Sequence, residues 1–223
     1  KQGTQRGSLH ESMMLTRFAT HIAVAAALST PMAKPPAAAN QIISLVEAST
    51  PRSDRGLIAA VQSLLDDAPP PPAAVDFGDA AGTWRVVSAP LIDTLSKLTL
   101  SNFDITYRIG TSGTIGASVR YDSKLVGQGW LCTDGTITND ADAEAPTVRL
   151  IWERIWWQPG GSADSPPLDP DAEGAAALRP LVQSLGRAGF KPDLAVFPVR
   201  YLDTSSGLAI FKFQWLTVAV QQV

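Results

Sequence analysis

The chain has 223 residues, of which 45% are hydrophobic and 17% are charged, and its formal net charge is −3. This length fits one domain with an extension or two small domains, and no apolar run is long enough to predict a membrane-spanning helix. Positions 1–39 carry 4 basic residues and 1 acidic residue, so positions 40–223 carry a net charge of −6. An acidic domain without a clustered basic surface is a poor partner for nucleic acid.

The histidine and cysteine content excludes several kinds of site. His10 and His21 both precede residue 40, and Cys132 is the single cysteine. A Ser-His-Asp triad, a zinc site of His and Cys ligands and a His-ligated haem each require residues that positions 40–223 lack. We therefore predict no metal, no cofactor and no disulfide, with Cys132 as a buried small hydrophobic residue.

Residues 1–39 have the composition of a leader. Between Met13 and Ala39 there is no acidic residue, and Ile22–Leu28 is an apolar stretch. A chloroplast transit peptide fits this pattern, and so does a secretory or thylakoid-lumen signal with a cleavage site at Ala37–Ala39. An ordinary N-terminal helix is the alternative, and the polar residues 1–12 are excluded from the fold prediction.

Two short helices are predicted over residues 40–68. Ile42 and Val46, and then Leu57 and Leu64, recur at helical spacing. Ser53 or Asp54 is in place to cap the second helix, and Pro69–Pro72 ends it as a stiff spacer.

The pattern changes to a period of two after the spacer. Phe103, Ile105, Tyr107 and Ile109 alternate with polar residues, as in a strand with one buried face. The predicted strands lie at Trp84, at Phe103 and over Ala117–Tyr121, Val126–Cys132, Val148–Trp157, Ala195–Leu202, Leu208–Phe213 and Thr217–Gln222. About eight antiparallel strands predict a mainly β protein with a lipocalin-like barrel over residues 75–223, wide enough for one small ligand.

One further helix is predicted before the C-terminal strands. Leu178, Leu181 and Leu185 share a face, and the Pro- and Asp-rich residues 160–173 before it predict an exposed loop. Such a helix and loop are expected to lie over a barrel mouth.

Aromatic residues are the main candidates for a site, because they bury large apolar areas and retain a polar edge. The candidates for ligand binding are Trp84, Phe103, Ile105, Tyr107, Trp130 and Trp152. For Trp84 we favour packing across one barrel end. The candidates for a membrane or partner surface are Trp156, Trp157 and Trp215, and one of the adjacent pair should face outward because neighbouring strand residues face opposite ways.

Three motifs carry a resemblance to a family. Gly82-Thr83-Trp84 opens the first strand, Arg55-Gly56 lies in the helical region, and Tyr201-Leu202-Asp203 lies near the C-terminus. From Asn40 to Val223 the chain resembles the plastid-lipid-associated proteins, or plastid fibrillins. It departs from their pattern at Gly207–Trp215, which is more apolar, and at Pro69–Pro72, which replaces an Asn-Pro-rich link.

The resemblance implies a non-enzymatic protein of the chloroplast. It implies binding of an isoprenoid, quinone, carotenoid or acyl lipid, with peripheral contact at thylakoid or plastoglobule surfaces. One alternative is a structural subunit with a filled barrel that docks on a photosynthetic complex through Trp157 or Trp215. Another is an isomerase or cyclase of a hydrophobic substrate with Glu153 or Tyr107 as acid or base. We interpret Asp203 as a turn residue rather than a catalytic one.

Overall fold

The computed structural model describes residues 36–124, 127–160, 166 and 195–223. Within them the chain forms three helices and eight strands. The helices are α1 (Ala37–Glu47), α2 (Arg55–Asp67) and α3 (Pro90–Thr99). The strands are β1 (Gly82–Ser88), β2 (Ser101–Ile109), β3 (Thr114–Ser123), β4 (Gly127–Asn139), β5 (Thr147–Pro159), β6 (Val196–Asp203), β7 (Leu208–Phe213) and β8 (Leu216–Gln222).

The strands form a closed barrel. Each strand pairs antiparallel with the next one in the chain, and β8 pairs with β1 to complete the circuit. The prediction of a mainly β, lipocalin-like antiparallel barrel of about eight strands is confirmed. The predicted helix at Leu178–Leu185 lies outside the described residues.

Helix α3 was not predicted from the sequence. Pro90 occupies its first position, where the missing N–H costs no hydrogen bond, and Leu91, Leu95 and Leu98 recur along one side. This short helix between β1 and β2 lies at the barrel mouth and none of its residues is buried. The helical spacing of these leucines is present in the sequence. The helix was not predicted because it is short and lies directly between two strands.

The two N-terminal helices pack on the outer surface of the barrel. Asp54 caps α2 by accepting hydrogen bonds from the backbone N–H groups of Gly56 and Leu57, as predicted. Fully buried residues of both helices pack with outward-facing residues of β1, β6, β7 and β8. Helix α1 begins three residues before the predicted boundary at Asn40, and Ala39 is completely buried.

One end of the barrel is closed by the segment that precedes β1. The side chain of Asn139 accepts a hydrogen bond from the backbone N–H of Val75 at 2.8 Å and donates one to its carbonyl at 3.0 Å. Trp84 Nε1 donates to the carbonyl of Ala80 at 2.9 Å. These bonds hold the segment over the barrel end, and Trp84 packs across that end as the sequence predicted.

A β-bulge between β4 and β5 decides which aromatic residues face inward. Asp134 pairs with Arg154 while Gly135 pairs with Trp152, so Glu153 is the extra residue. Trp152 therefore faces the interior. Beyond the bulge Trp157 lies opposite Leu131 on the inner face, and Trp156 lies opposite Cys132 on the outer face.

Candidate functional site

The barrel interior contains two adjacent cavities. The inner cavity has a volume of about 120 Å³ and lies against the closed end, where Val75, Phe77 and Ala80 form its floor. Trp84, Ile115, Leu150 and Val220 contribute to its walls. A volume of this size admits a few non-hydrogen atoms rather than a long chain.

The outer cavity lies between the inner one and the barrel mouth. Its volume is about 610 Å³, within the range of small-molecule sites. Residues of α2 and α3 and of the β7–β8 hairpin line it, among them Val61, Leu95 and Trp215. The two cavities are adjacent, because four residues line both of them: Tyr107, Trp152, Phe197 and Phe211.

An aromatic cluster surrounds the junction of the two cavities. The rings of Tyr107 and Phe211 meet edge to face at 6.4 Å, and those of Phe197 and Phe211 do so at 5.8 Å. Phe197 and Phe213 stack at 5.4 Å. The sequence analysis missed all three phenylalanines as site residues, although each lies in a predicted strand, because the facing of a strand residue depends on its register.

The lining of the inner cavity is almost wholly apolar, and the outer cavity adds a few uncharged polar groups near the mouth. None of the described residues that line either cavity is charged. Burial raises the pKa of Tyr107 to about 12, so its hydroxyl is neutral at physiological pH. Within the described part of the chain this hydroxyl has no hydrogen-bond partner. It is therefore a free donor and acceptor inside an apolar site.

The predicted ligand-binding residues fall into two groups. Trp84 lines the inner cavity, Ile105 lines the outer one, and Tyr107 and Trp152 line both. Phe103 and Trp130 do not line either cavity.

The structure places these two residues outside both cavities. Phe103 borders a polar surface groove, and its carbonyl accepts a hydrogen bond from Arg52. Trp130 lies opposite Arg120 in the β3–β4 ladder, on the outer face of the barrel. Phe103 lies on the same face of β2 as Ile105 and Tyr107 but beyond the two cavities, whereas the aromatic character of Trp130 did not indicate that its side chain faces outward.

The three predicted surface tryptophans also differ from one another. Trp157 faces inward, where its Nε1 donates to the hydroxyl of Tyr121 at 2.6 Å. Trp156 faces outward, which confirms that one of the pair does so, but it is only partly exposed. Trp215 is 75% exposed at the tip of the β7–β8 hairpin. Trp215 alone has the accessibility that a docking residue requires.

The acidic candidates lie away from the cavities. Glu153 is exposed at the bulge. Asp203 accepts hydrogen bonds from the backbone N–H and the hydroxyl of Ser205 and from the hydroxyl of Ser206, which confirms its interpretation as a turn residue. In the described ranges no three metal-ligating side chains come together.

Exposed apolar residues surround the mouth of the outer cavity. Leu95 is 43% exposed and lines the cavity, and Leu98, one turn further along α3, is 76% exposed. Trp215 and Ile58 complete this group, which we call the mouth rim. No described helix has the length and apolar character to cross a bilayer.

The fold and site define a lipocalin-like barrel with an apolar cavity. Comparison of the chain with protein-family models, with curated proteins and with solved structures found no match.

Proposed function

We propose that the protein binds a hydrophobic small molecule inside its barrel and does not transform it chemically. The observation that carries this proposal is the adjacent pair of mainly apolar cavities, of about 120 and 610 Å³, without a charged residue among the described lining. Burial of apolar surface is the main driving force available in such a site.

The cavities favour this function over that of a subunit with a filled barrel. A barrel that serves only as a scaffold is stabilised by side chains that fill its interior to normal packing density. Here Trp84 and the segment that ends at Ala80 close one end, yet the space beyond Tyr107 continues to the mouth. The space is ligand-sized, which supports a binding role.

The lining also favours binding over an isomerase or cyclase. Proton transfer requires a group whose pKa lies near the working pH. Tyr107, with its pKa raised to about 12, does not meet this condition, and Glu153 lies on the outer surface at the bulge. The proposal is therefore a binding protein rather than an enzyme.

The family and the location rest on the motifs. Gly82-Thr83-Trp84 and Tyr201-Leu202-Asp203 resemble the plastid-lipid-associated proteins, and the composition of residues 1–39 fits a leader. We propose on this basis that the protein works in the chloroplast, at thylakoid or plastoglobule surfaces. The ligand classes are then isoprenoid, quinone, carotenoid or acyl lipid.

The mouth rim supports peripheral contact with a lipid surface. Leu98 and Trp215 are more than two-thirds exposed, and the rim surrounds the entrance of the outer cavity. Docking by the rim would bury these side chains in the interfacial layer and would allow a ligand to pass between lipid and barrel without crossing water.

Native mass spectrometry of the protein purified from its source tests the proposal. We expect a fraction of the protein to retain a non-covalent mass that organic solvent extracts. Titration of the stripped protein with decylubiquinone should then quench tryptophan emission to saturation. A protein without retained mass and with linear, unsaturable quenching would contradict the proposal and favour the filled barrel.

A further inference from the structure

We propose that Tyr107 is a polar anchor that selects uncharged ligands carrying a hydrogen-bond acceptor, such as a hydroxyl, carbonyl or ester oxygen, at one end of an apolar body. This inference rests on the proposed function and names the chemical class of the ligand.

The position of Tyr107 is the first argument. It lies opposite Trp84 in the β1–β2 ladder and opposite Ala117 in the β2–β3 ladder, in the middle of its strand. The edge-to-face contact with Phe211 restricts its ring. The side chain therefore lies where the two cavities adjoin, and a ligand that fills the outer cavity contacts it.

The hydroxyl of Tyr107 is the second argument. A hydroxyl that makes no hydrogen bond to protein and faces a cavity needs water or a ligand as its partner, because leaving it without a hydrogen bond costs free energy. Trp84, the neighbouring polar side chain, already donates to Ala80. Tyr107 has no such bond to any described residue. A ligand oxygen that accepts from Tyr107 takes the place of water, whereas a pure hydrocarbon that displaces the water leaves the hydroxyl without a partner.

The absence of a compensating cation is the third argument. Burying a carboxylate requires a paired positive charge or several donors. The described residues lining the two cavities include no lysine, arginine or histidine. The other polar side chains of the described lining are the indoles of Trp84, Trp152 and Trp215 and, near the mouth, Gln62, Ser88 and Thr217. A fatty acid anion is therefore disfavoured relative to a neutral lipid.

The relative sizes of the cavities orient the ligand. The inner cavity of about 120 Å³ has room for short substituents only, and the outer cavity of about 610 Å³ leads to the mouth rim. A polar head beside Tyr107 places the apolar body in the outer cavity with its end toward the rim. The rings of Phe197 and Phe211 beside Tyr107 favour a flat, conjugated head.

Three retinoids with one polyene skeleton test the inference: all-trans-retinol, its hydrocarbon analogue axerophthene, and retinoic acid as the anion at pH 7.5. Tryptophan quenching gives a Kd for each. The variants are Tyr107→Phe, which removes only the hydroxyl, and Tyr201→Phe, the same change at a tyrosine that packs with the helices on the outer surface.

We expect wild type to bind retinol roughly five- to tenfold more tightly than axerophthene, the effect of one buried hydrogen bond, and retinoate more weakly than retinol. Tyr107→Phe should remove the preference for retinol over axerophthene, and Tyr201→Phe should retain it. Binding of axerophthene by Tyr107→Phe also shows whether that variant is folded. The ranking of the three probes is measured on wild type and therefore does not depend on the folding of any variant.

Two results would overturn the inference while leaving the proposed function intact. One is equal binding of all three probes by wild type, and the other is an unchanged preference for retinol in Tyr107→Phe. Failure of wild type to bind any of the three would overturn the inference and the proposed function together.

Discussion

Gly135 lies opposite Trp152 across the β4–β5 ladder, next to the bulge that turns Trp152 into the barrel. A Cβ atom at position 135 would collide with the carbonyl oxygen of Ile151. The absence of a side chain at one residue therefore allows the close approach of β5 that gives the cavity one of its aromatic walls.

Gly135→Ala should destabilise the protein. The collision is with backbone, so β5 must shift or the bulge must be lost, and we expect a loss of about 2–4 kcal/mol in the free energy of unfolding. Chemical denaturation measures it. Gly116→Ala on β3 is the control, because a Cβ there has only ordinary contacts, the nearest at 3.6 Å. Equal stability of the two variants would contradict this account of the bulge.

Trp152→Ala should weaken ligand binding, whereas Trp156→Ala should not. Trp152 lines both cavities and Trp156 lies on the outer face of the same strand, and both are partly exposed. Loss of one well-packed aromatic contact should cost about 1–3 kcal/mol of binding free energy. Titration with decylubiquinone, monitored through the fluorescence emission of the remaining tryptophans, measures this loss of binding free energy. A larger effect at Trp156 would place the ligand outside the barrel.

Asp203→Asn should lower stability at neutral pH and have little effect in acid. Burial opposes ionisation of Asp203, but hydrogen bonds from the side chains and backbone N–H groups of Ser205 and Ser206 outweigh it, so the pKa lies below its ordinary value of 3.8. A depressed folded-state pKa stabilises the fold above pH 3.8, and this contribution is lost as pH falls through the folded-state pKa.

The expected loss for Asp203→Asn at pH 7 is about 1 kcal/mol or less, since the turn is partly solvated. Urea denaturation at pH 7 and near pH 3 measures the difference from wild type. Asp142→Asn, at an exposed position between β4 and β5, is the control. A difference for Asp203→Asn that grows as the pH falls would contradict the sign argued here.

Leu98→Ser and Trp215→Ser should each reduce binding to neutral lipid vesicles. Burial of one such side chain in the interface contributes about 1–2 kcal/mol, so partitioning should fall several-fold. Val223→Ser is the matched control, because Val223 is 72% exposed but follows β8 beside Thr83, at the closed end of the barrel. Co-sedimentation at low and high salt measures the partitioning.

The attachment should persist at high salt, because positions 40–223 carry a net charge of −6 and the rim is apolar. Release by salt alone, or an equal loss with Val223→Ser, would contradict docking by the mouth rim. Trp156 is not suited to this test, because it is only partly exposed.

The sequence by itself determined the class of fold, because the signals involved are local. The alternation from Phe103 to Ile109 specifies a strand with one apolar face, and the spacing of Leu57 and Leu64 after the cap at Asp54 specifies an amphipathic helix. Apolar segments of strand length separated by glycine-rich turns then require a closed or packed sheet to bury their inner faces. The sequence signal that predicted a turn at Asp203 was also local.

The tertiary structure alone decided which aromatic residues meet in the cavity. A shift of one position in the register of a strand moves a side chain to the opposite face of the sheet, and β-bulges introduce such shifts. The extra residue Glu153 therefore separates Trp152, which faces inward, from Trp156, which faces outward, although strict alternation would place both on one face. Phe197 and Phe211 meet because β6 and β7 pair in one register, a relationship between distant residues that no local pattern encodes.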